Sequence, residues 1–124
     1  MKKICLFIVS LLFMYSTKAI AQDAKVESGL MYYLTKYIEW PASKKMGDFV
    51  IATIGSSDID TFLKSLASSK TVGTRKIVIK KIKTPGEAKS CQILFIPKNK
   101  IKEVAAFADI AKSNKILIVT EGTG

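Results

Sequence analysis

The chain contains no histidine. Histidine is the side chain that titrates near neutral pH and the commonest metal ligand. Its absence excludes imidazole-bound metals, Ser–His–Asp triads and His-based acid–base pairs. Cysteine is almost as scarce, with Cys5 and Cys91 the two present. Cys5 sits in an apolar N-terminal run, so Cys91 stands alone in the rest of the chain. One thiol makes neither an intramolecular disulfide nor a thiolate zinc site. Gly-x-Ser-x-Gly and Ser-x-x-Lys frames are missing, so Ser43, Ser56, Ser57 and Lys45 form no nucleophile motif. Glu39 and Asp48 are isolated carboxylates that nothing pairs as acid and base. The chain therefore reads as non-enzymatic, with no metal or cofactor. After residue 21 there is no second long apolar run, so the remainder is not expected to span a membrane.

What is present begins at the N-terminus. Lys2 and Lys3 precede an apolar run from Ile4 to Tyr15 that only Ser10 interrupts. Ala19-Ile20-Ala21 then supplies small residues before Gln22. This is the layout of a cleaved secretory signal peptide over residues 1–21, and the run is short for a bilayer span. No cysteine follows the cleavage site, which argues against a lipoprotein. The expected mature segment, residues 22–124, is one small domain with a single core. Loss of Lys2, Lys3 and Lys18 lowers the formal charge from +10 to +7. Such a basic chain would ordinarily raise nucleic acid as a partner. Export argues against it, leaving an acidic membrane surface, an acidic protein face or a merely solvated lysine-rich surface.

Hydrophobic spacing predicts a helix over 23–39, with Val26, Leu30, Tyr33, Leu34, Tyr37 and Ile38 as its buried stripe. Pro41 biases Trp40 out of the helical region. Phe49 to Ile54 is nearly all apolar, as in a central strand covered on both faces. A helix over 58–69 follows, with Ile59, Phe62, Leu63 and Leu66 as its stripe. Val72-Gly73-Thr74 turns into a strand over 75–83, whose lysines suit a sheet edge. Thr84-Pro85-Gly86 breaks it, and 87–90 is a candidate helical turn. Ile93 to Ile96 is a strand ended by Pro97. Ile101, Val104, Ala105, Ala108 and Ala111 mark a helix over 100–112, flanked by Phe107 and Ile110. Ile116 to Thr120 is the last strand. This alternation predicts an α/β fold, a three-layer α/β/α sandwich around a mostly parallel sheet. An apolar strand at the end of the chain calls for further cover, so the sequence reads as lacking a C-terminal part.

Two places hold candidate site residues. Gly55-Ser56-Ser57-Asp58 lies at a strand-to-helix turn, where backbone N–H groups can face an anion. Capping by Ser57 or Asp58 is the simpler reading, since one glycine is present and Asp58 repels anions. A small-ligand module would use this end of the sheet, with Gly55, Ser56, Ser57 and Pro97 as its rim. The second place is the end of the first helix. Tyr33 and Tyr37 are expected to pack on the sheet, while Tyr32 falls off the stripe. Tyr32, with Lys36 and Glu39, is thus the candidate protein-binding face. Cys91 is expected to point into the core.

The block Lys36-Tyr37-Ile38-Glu39-Trp40-Pro41, followed by Phe49 to Gly55, resembles the opening of the YfiR family of periplasmic proteins. Val72 to Ile77, Cys91 to Ile96 and Ile116 to Gly122 resemble the segments that follow there. The resemblance implies a non-catalytic regulator. It would bind the periplasmic part of an inner-membrane signalling protein, such as a diguanylate cyclase or a sensor, and hold it inactive. Release would raise cyclic-di-GMP and promote biofilm. Members of that family usually continue into a further glycine-rich strand and a closing helix, and better-known ones carry disulfides that Cys91 alone cannot form. A homodimer is compatible with the sequence.

The leader makes a direct prediction. N-terminal sequencing of the soluble protein should begin at Gln22, and Ala21→Arg should block processing, because signal peptidase requires a small residue there. A soluble protein that begins at Met1 would contradict the assignment.

Overall fold

The computed structural model describes residues 24–121, so the expected leader and cleavage site lie outside the described residues. Five strands form one sheet: β1 Phe49–Thr53, β2 Thr71–Val72, β3 Arg75–Lys81, β4 Ile93–Ile96 and β5 Leu117–Thr120. Three helices accompany them: α1 over 24–37, α2 Ile59–Ser69 and α3 Val104–Asn114. The strand order is β2-β3-β1-β4-β5, parallel throughout except for the β2–β3 hairpin. In register, Ile51 lies between Ile79 and Ile93, and Phe95 lies beside Val119.

Apolar side chains on alternate residues of the central strands feed two cores. Phe49, Ile51, Ile77, Ile93 and Phe95 pack on one face with Met31 of α1 and with Ile59 and Leu63 of α2. Ala52, Ile54, Ile82, Leu94 and Ile96 pack on the other with Phe107 and Ala111 of α3. These are the three layers that the alternation predicts. α2 buries its expected residues Ile59 and Leu63, with Phe62 and Leu66 beside them.

The first helix departs from its predicted orientation. Val26, Leu30, Tyr33 and Tyr37 are exposed, and the buried positions are Ala24, Ser28, Met31 and Thr35. Both sets have helical spacing, so periodicity alone cannot choose between them. The buried set joins three small side chains to Met31, which packs into the core against the sheet. The Ser28 and Thr35 hydroxyls donate to the carbonyls of Lys25 and Tyr32 on their own helix, so their burial leaves no donor unpaired. The helix also ends at 37 rather than 39, after the Ile38 N–H bonds the Leu34 carbonyl at 3.1 Å.

Three smaller differences follow from local geometry. Val72, placed in the predicted turn, instead joins Thr71 in a short hairpin arm that pairs with Arg75 and Lys76. The Arg75 guanidinium then donates to the carbonyls of Gly47, Met46 and Asp48 and ties the β1 entry to β3. The predicted helix over 100–112 is a 3-10 segment, Lys98–Glu103, that leads into α3. Its buried residues are Phe107 and Ala111, while Ala105 and Ala108 face solvent, because the bulkier phenyl ring takes the core position. Helical structure after Pro85 is a 3-10 turn, Pro85–Ala88, closed by a Thr84–Glu87 capping box.

Trp40 is the hinge between α1 and the sheet. Its ring is 7% exposed, meets Phe49 edge-on at 5.4 Å between centroids, and its N–H points at the Thr35 carbonyl at 3.4 Å. Trp40→Ala should cost about 3 kcal/mol, through lost burial and the cavity left behind. Urea melts that show a loss below about half a kcal/mol would contradict that packing.

Candidate functional site

The outward turn of α1 creates two unlike flanks. On the side facing α2, Tyr32 is half-buried against the core instead of standing free, as the predicted stripe required. The Lys36 ammonium lies 4.6 Å from its ring centroid and that of Lys70, at the end of α2, 5.9 Å. Tyr32 and Lys36 thus come together as a basic, aromatic surface. Glu39 is exposed in the extended segment beyond the helix. The contribution of Lys70 depends on how α1 and α2 pack, which local spacing does not reveal.

On the other flank, Leu30, Tyr33, Leu34 and Tyr37 line an apolar groove of about 460 Å³ with Met31, Phe95, Val119 and Thr120. Tyr33 and Tyr37 stack at 6.3 Å between centroids. Among the described residues, Glu27 is the one charged residue lining it. Tyr33 and Tyr37, expected in the core, belong to this open surface.

At the carboxyl ends of the strands, Ser56, Ser57 and Pro97 line one hollow of about 400 Å³ with Asp58, Lys98, Asn99 and Glu121. Gly55 lines a neighbouring hollow of about 550 Å³ with Ser56, Lys81, Lys83 and Lys100. The first lies between β1 and β4. There the chain order reverses direction across the sheet, where open α/β sheets place ligands. Much of its polar lining is already engaged. The Glu121 carboxylate accepts the Lys98 N–H at 2.7 Å, and the Asn99 amide donates to the Ser56 carbonyl at 3.4 Å. Neither Ser57 nor Asp58 caps α2 with its side chain. Instead Asp60 accepts the Ser57 N–H and pairs with Lys81 at 2.7 Å. Gly55 has a φ of +65°, and a Cβ there would meet the Lys100 side chain at 3.0 Å, so both backbone and space favour glycine.

At the opposite end of the sheet lies a buried lysine that sequence reasoning missed. Lys44 is 7% exposed, and its ammonium donates to the carbonyls of Lys89 and Cys91, each at 2.9 Å. Gln92 closes the arrangement. Its amide donates to the Lys44 carbonyl at 3.2 Å, and its side-chain oxygen accepts the Val50 N–H at 2.7 Å. Within a run of Ser and Lys, nothing local distinguishes Lys44 from Lys45. Desolvation holds the Lys44 ammonium below the usual lysine range, and the Cys91 side chain opposes this. Cys91 is buried, as expected from its place before a core strand. Burial pushes its thiol up to about 11, against the pull of Lys44. A neutral thiol buried in this way is packing material rather than a reactive centre.

Residues 24–124 match the family model described as YfiR/HmsC-like. No curated protein matches the chain. Among the described residues, no helix is long and apolar enough to cross a membrane.

The Cys91 environment predicts both reactivity and pH dependence. Alkylation at pH 8 should be at least about a hundredfold slower in the native protein than in denaturant; similar rates would place the thiol at the surface. The folded thiol titrates above its ordinary value of 9.0. Stability from the neutral form is therefore complete below pH 9 and is lost as pH rises through about 11. Cys91→Ala should remove that alkaline loss, because alanine does not ionise. Lys44 acts in the opposite sense, since its depressed ammonium penalises folding less once deprotonated.

Proposed function

Because the chain belongs to the YfiR/HmsC-like family, we propose that it is an exported, non-catalytic regulator in the periplasm. It binds the periplasmic part of an inner-membrane signalling protein, a diguanylate cyclase or a related sensor, and holds that protein inactive. The family match over residues 24–124 carries this reading. The leader-like layout of residues 1–21 supports it, as does the absence from the sequence of histidine and of a nucleophile motif. Control then works by mass action, with envelope conditions shifting the bound fraction.

The partner-binding surface in this reading is the basic flank of α1, Tyr32 with Lys36, and Glu39 beyond it. Tyr32 is held in place by the core and carries the Lys36 ammonium over its ring, so Tyr32 loses little side-chain freedom on binding. Two ammonium groups against one ring favour an acidic counterpart. A second reading, a small-ligand module, is favoured by one observation: Ser56, Ser57 and Pro97 meet at the β1–β4 switch point. An adjacent gene for a membrane cyclase or sensor would favour the regulator, and one for a transporter the ligand module.

The test is co-purification of the membrane partner from envelope extract. Tyr32→Ala and Lys36→Glu should each weaken capture by about tenfold, equivalent to about 1.4 kcal/mol, with unchanged circular dichroism. Full recovery by both variants would remove this flank from the interface.

A further inference from the structure

The parallel strands begin at one pole of the sheet, and the segments that lead into them meet there. Lys45, Lys76, Lys89, Lys112 and Lys115 are all exposed at or beside this amino-end pole. Asp48 is the only acid in the segments 42–48, 89–92 and 112–116 that build it. The carboxyl-end pole is balanced instead. There Lys81, Lys98, Lys100 and Lys102 stand with Asp58, Asp60, Glu103 and Glu121, and Lys81 pairs with Asp60 at 2.7 Å. Among the described residues, no ion pair forms at the amino-end pole. Its positive field is therefore largely uncompensated.

A polar hollow of about 450 Å³ opens at the same pole. Lys44, Lys89 and Lys115 line it with Ser43, Ser90 and Ser113. The buried Lys44 ammonium has three N–H groups. Two go to the Lys89 and Cys91 carbonyls, and the third has no partner among the described residues. The Lys89 and Lys115 ammonium groups and the three serine hydroxyls likewise have none. Asp48 also lines the hollow, as one carboxylate against three ammonium groups. Met46 stands beside them and is 83% exposed, on a loop that Gly47 turns with a φ of +76°. A long apolar side chain held out among lysines and serines gains nothing in water. It suits the boundary of a bilayer, where lysines meet headgroups and an apolar chain enters the acyl region.

We propose that the amino-end pole docks on a membrane surface rich in anionic phospholipid, with a lipid phosphate in the hollow against Lys44, Lys89 and Lys115 and with Met46 inserted among the headgroups. The phosphate supplies the acceptor that the third Lys44 N–H lacks, and its charge offsets the desolvation of that ammonium. The serine hydroxyls donate to its remaining oxygens. Lys45, Lys76 and Lys112, around the hollow, face the general negative charge of the surface. A free small anion would fill the hollow but leave Met46 and these outer lysines unused. A lipid surface engages all of them. The inference goes beyond the regulator reading and does not rest on it. The two are compatible in space, because α1 ends at this pole and docking brings Lys36 close to the bilayer.

Cosedimentation of the mature protein with protein-free vesicles tests the proposal. One set is phosphatidylcholine alone, and the other contains about a third phosphatidylglycerol. The expected result is binding at least about tenfold tighter to the anionic vesicles, largely lost at about 0.5 M salt. Lys45→Gln and Lys115→Gln should each weaken it by about fivefold, and Met46→Ser should weaken it as well, all with unchanged circular dichroism. Lys102→Gln, at the carboxyl-end pole, should change it by less than about twofold. Calorimetric titration with inorganic phosphate separates a lipid surface from a free anion. Equal binding to both vesicle sets would overturn the proposal, as would phosphate binding without vesicle binding. A loss with Lys102→Gln as large as that with Lys115→Gln, or no loss with Met46→Ser, would do the same. Because the vesicles carry no protein, the outcome is separate from that of partner capture.

Discussion

The structure depends on two neighbouring strands that must be shielded from water on both faces. β4 has no exposed or half-exposed residue, and β1 has only Val50 half-exposed. At about 25 cal/mol per Å² of apolar surface, burying Phe49, Ile51, Ile93, Leu94, Phe95 and Ile96 is a dominant favourable contribution to folding. It also dictates the plan. Each face needs a layer of helix, so α1 and α2 take one and α3 the other. The loops at the two ends of these strands are then where polar groups gather.

Burial on this scale requires that nearby polar groups find partners. Lys44 shows how this is met, because its ammonium replaces water with two backbone carbonyls that would themselves be costly to leave bare. Gln92 does the same for the Val50 N–H and the Lys44 carbonyl. Ser28 and Thr35 bond back along α1, which lets a polar face serve as a core face. The Thr53 hydroxyl is the exception among the described residues, buried with no hydrogen-bond partner at the carboxyl end of β1.

The first helix meets the sheet with Ala24, Ser28, Met31 and Thr35 and leaves Val26, Leu30, Tyr33 and Tyr37 exposed. A helix whose only task was packing would bury Leu30, Tyr33 and Tyr37, since each represents a greater gain on burial than Ala24 or Ser28. The basic, aromatic flank of Tyr32 and Lys36 beside α2 is separate from the apolar one.

Local signals sufficed for much of this. The strand and helix alternation, the doubly buried character of β1, the burial of Cys91, and the meeting of Ser56, Ser57 and Pro97 at one end of the sheet were legible in the sequence. They follow from periodicity, from proline and glycine positions, and from the rule that parallel strands end on one side. The Lys-Tyr-Ile-Glu-Trp-Pro block also carried the family. Other features required the tertiary structure. Which face of α1 turns inward was decided by packing against the sheet, and two sets of residues with the same period compete for that role. Lys44 owes its burial to carbonyls 45 and 47 residues away, and Tyr32 meets Lys70 only because α1 and α2 share a face. Spacing along a chain reports which residues share a side of one element. It does not report what that side will meet, and that depends on contacts between residues far apart in sequence.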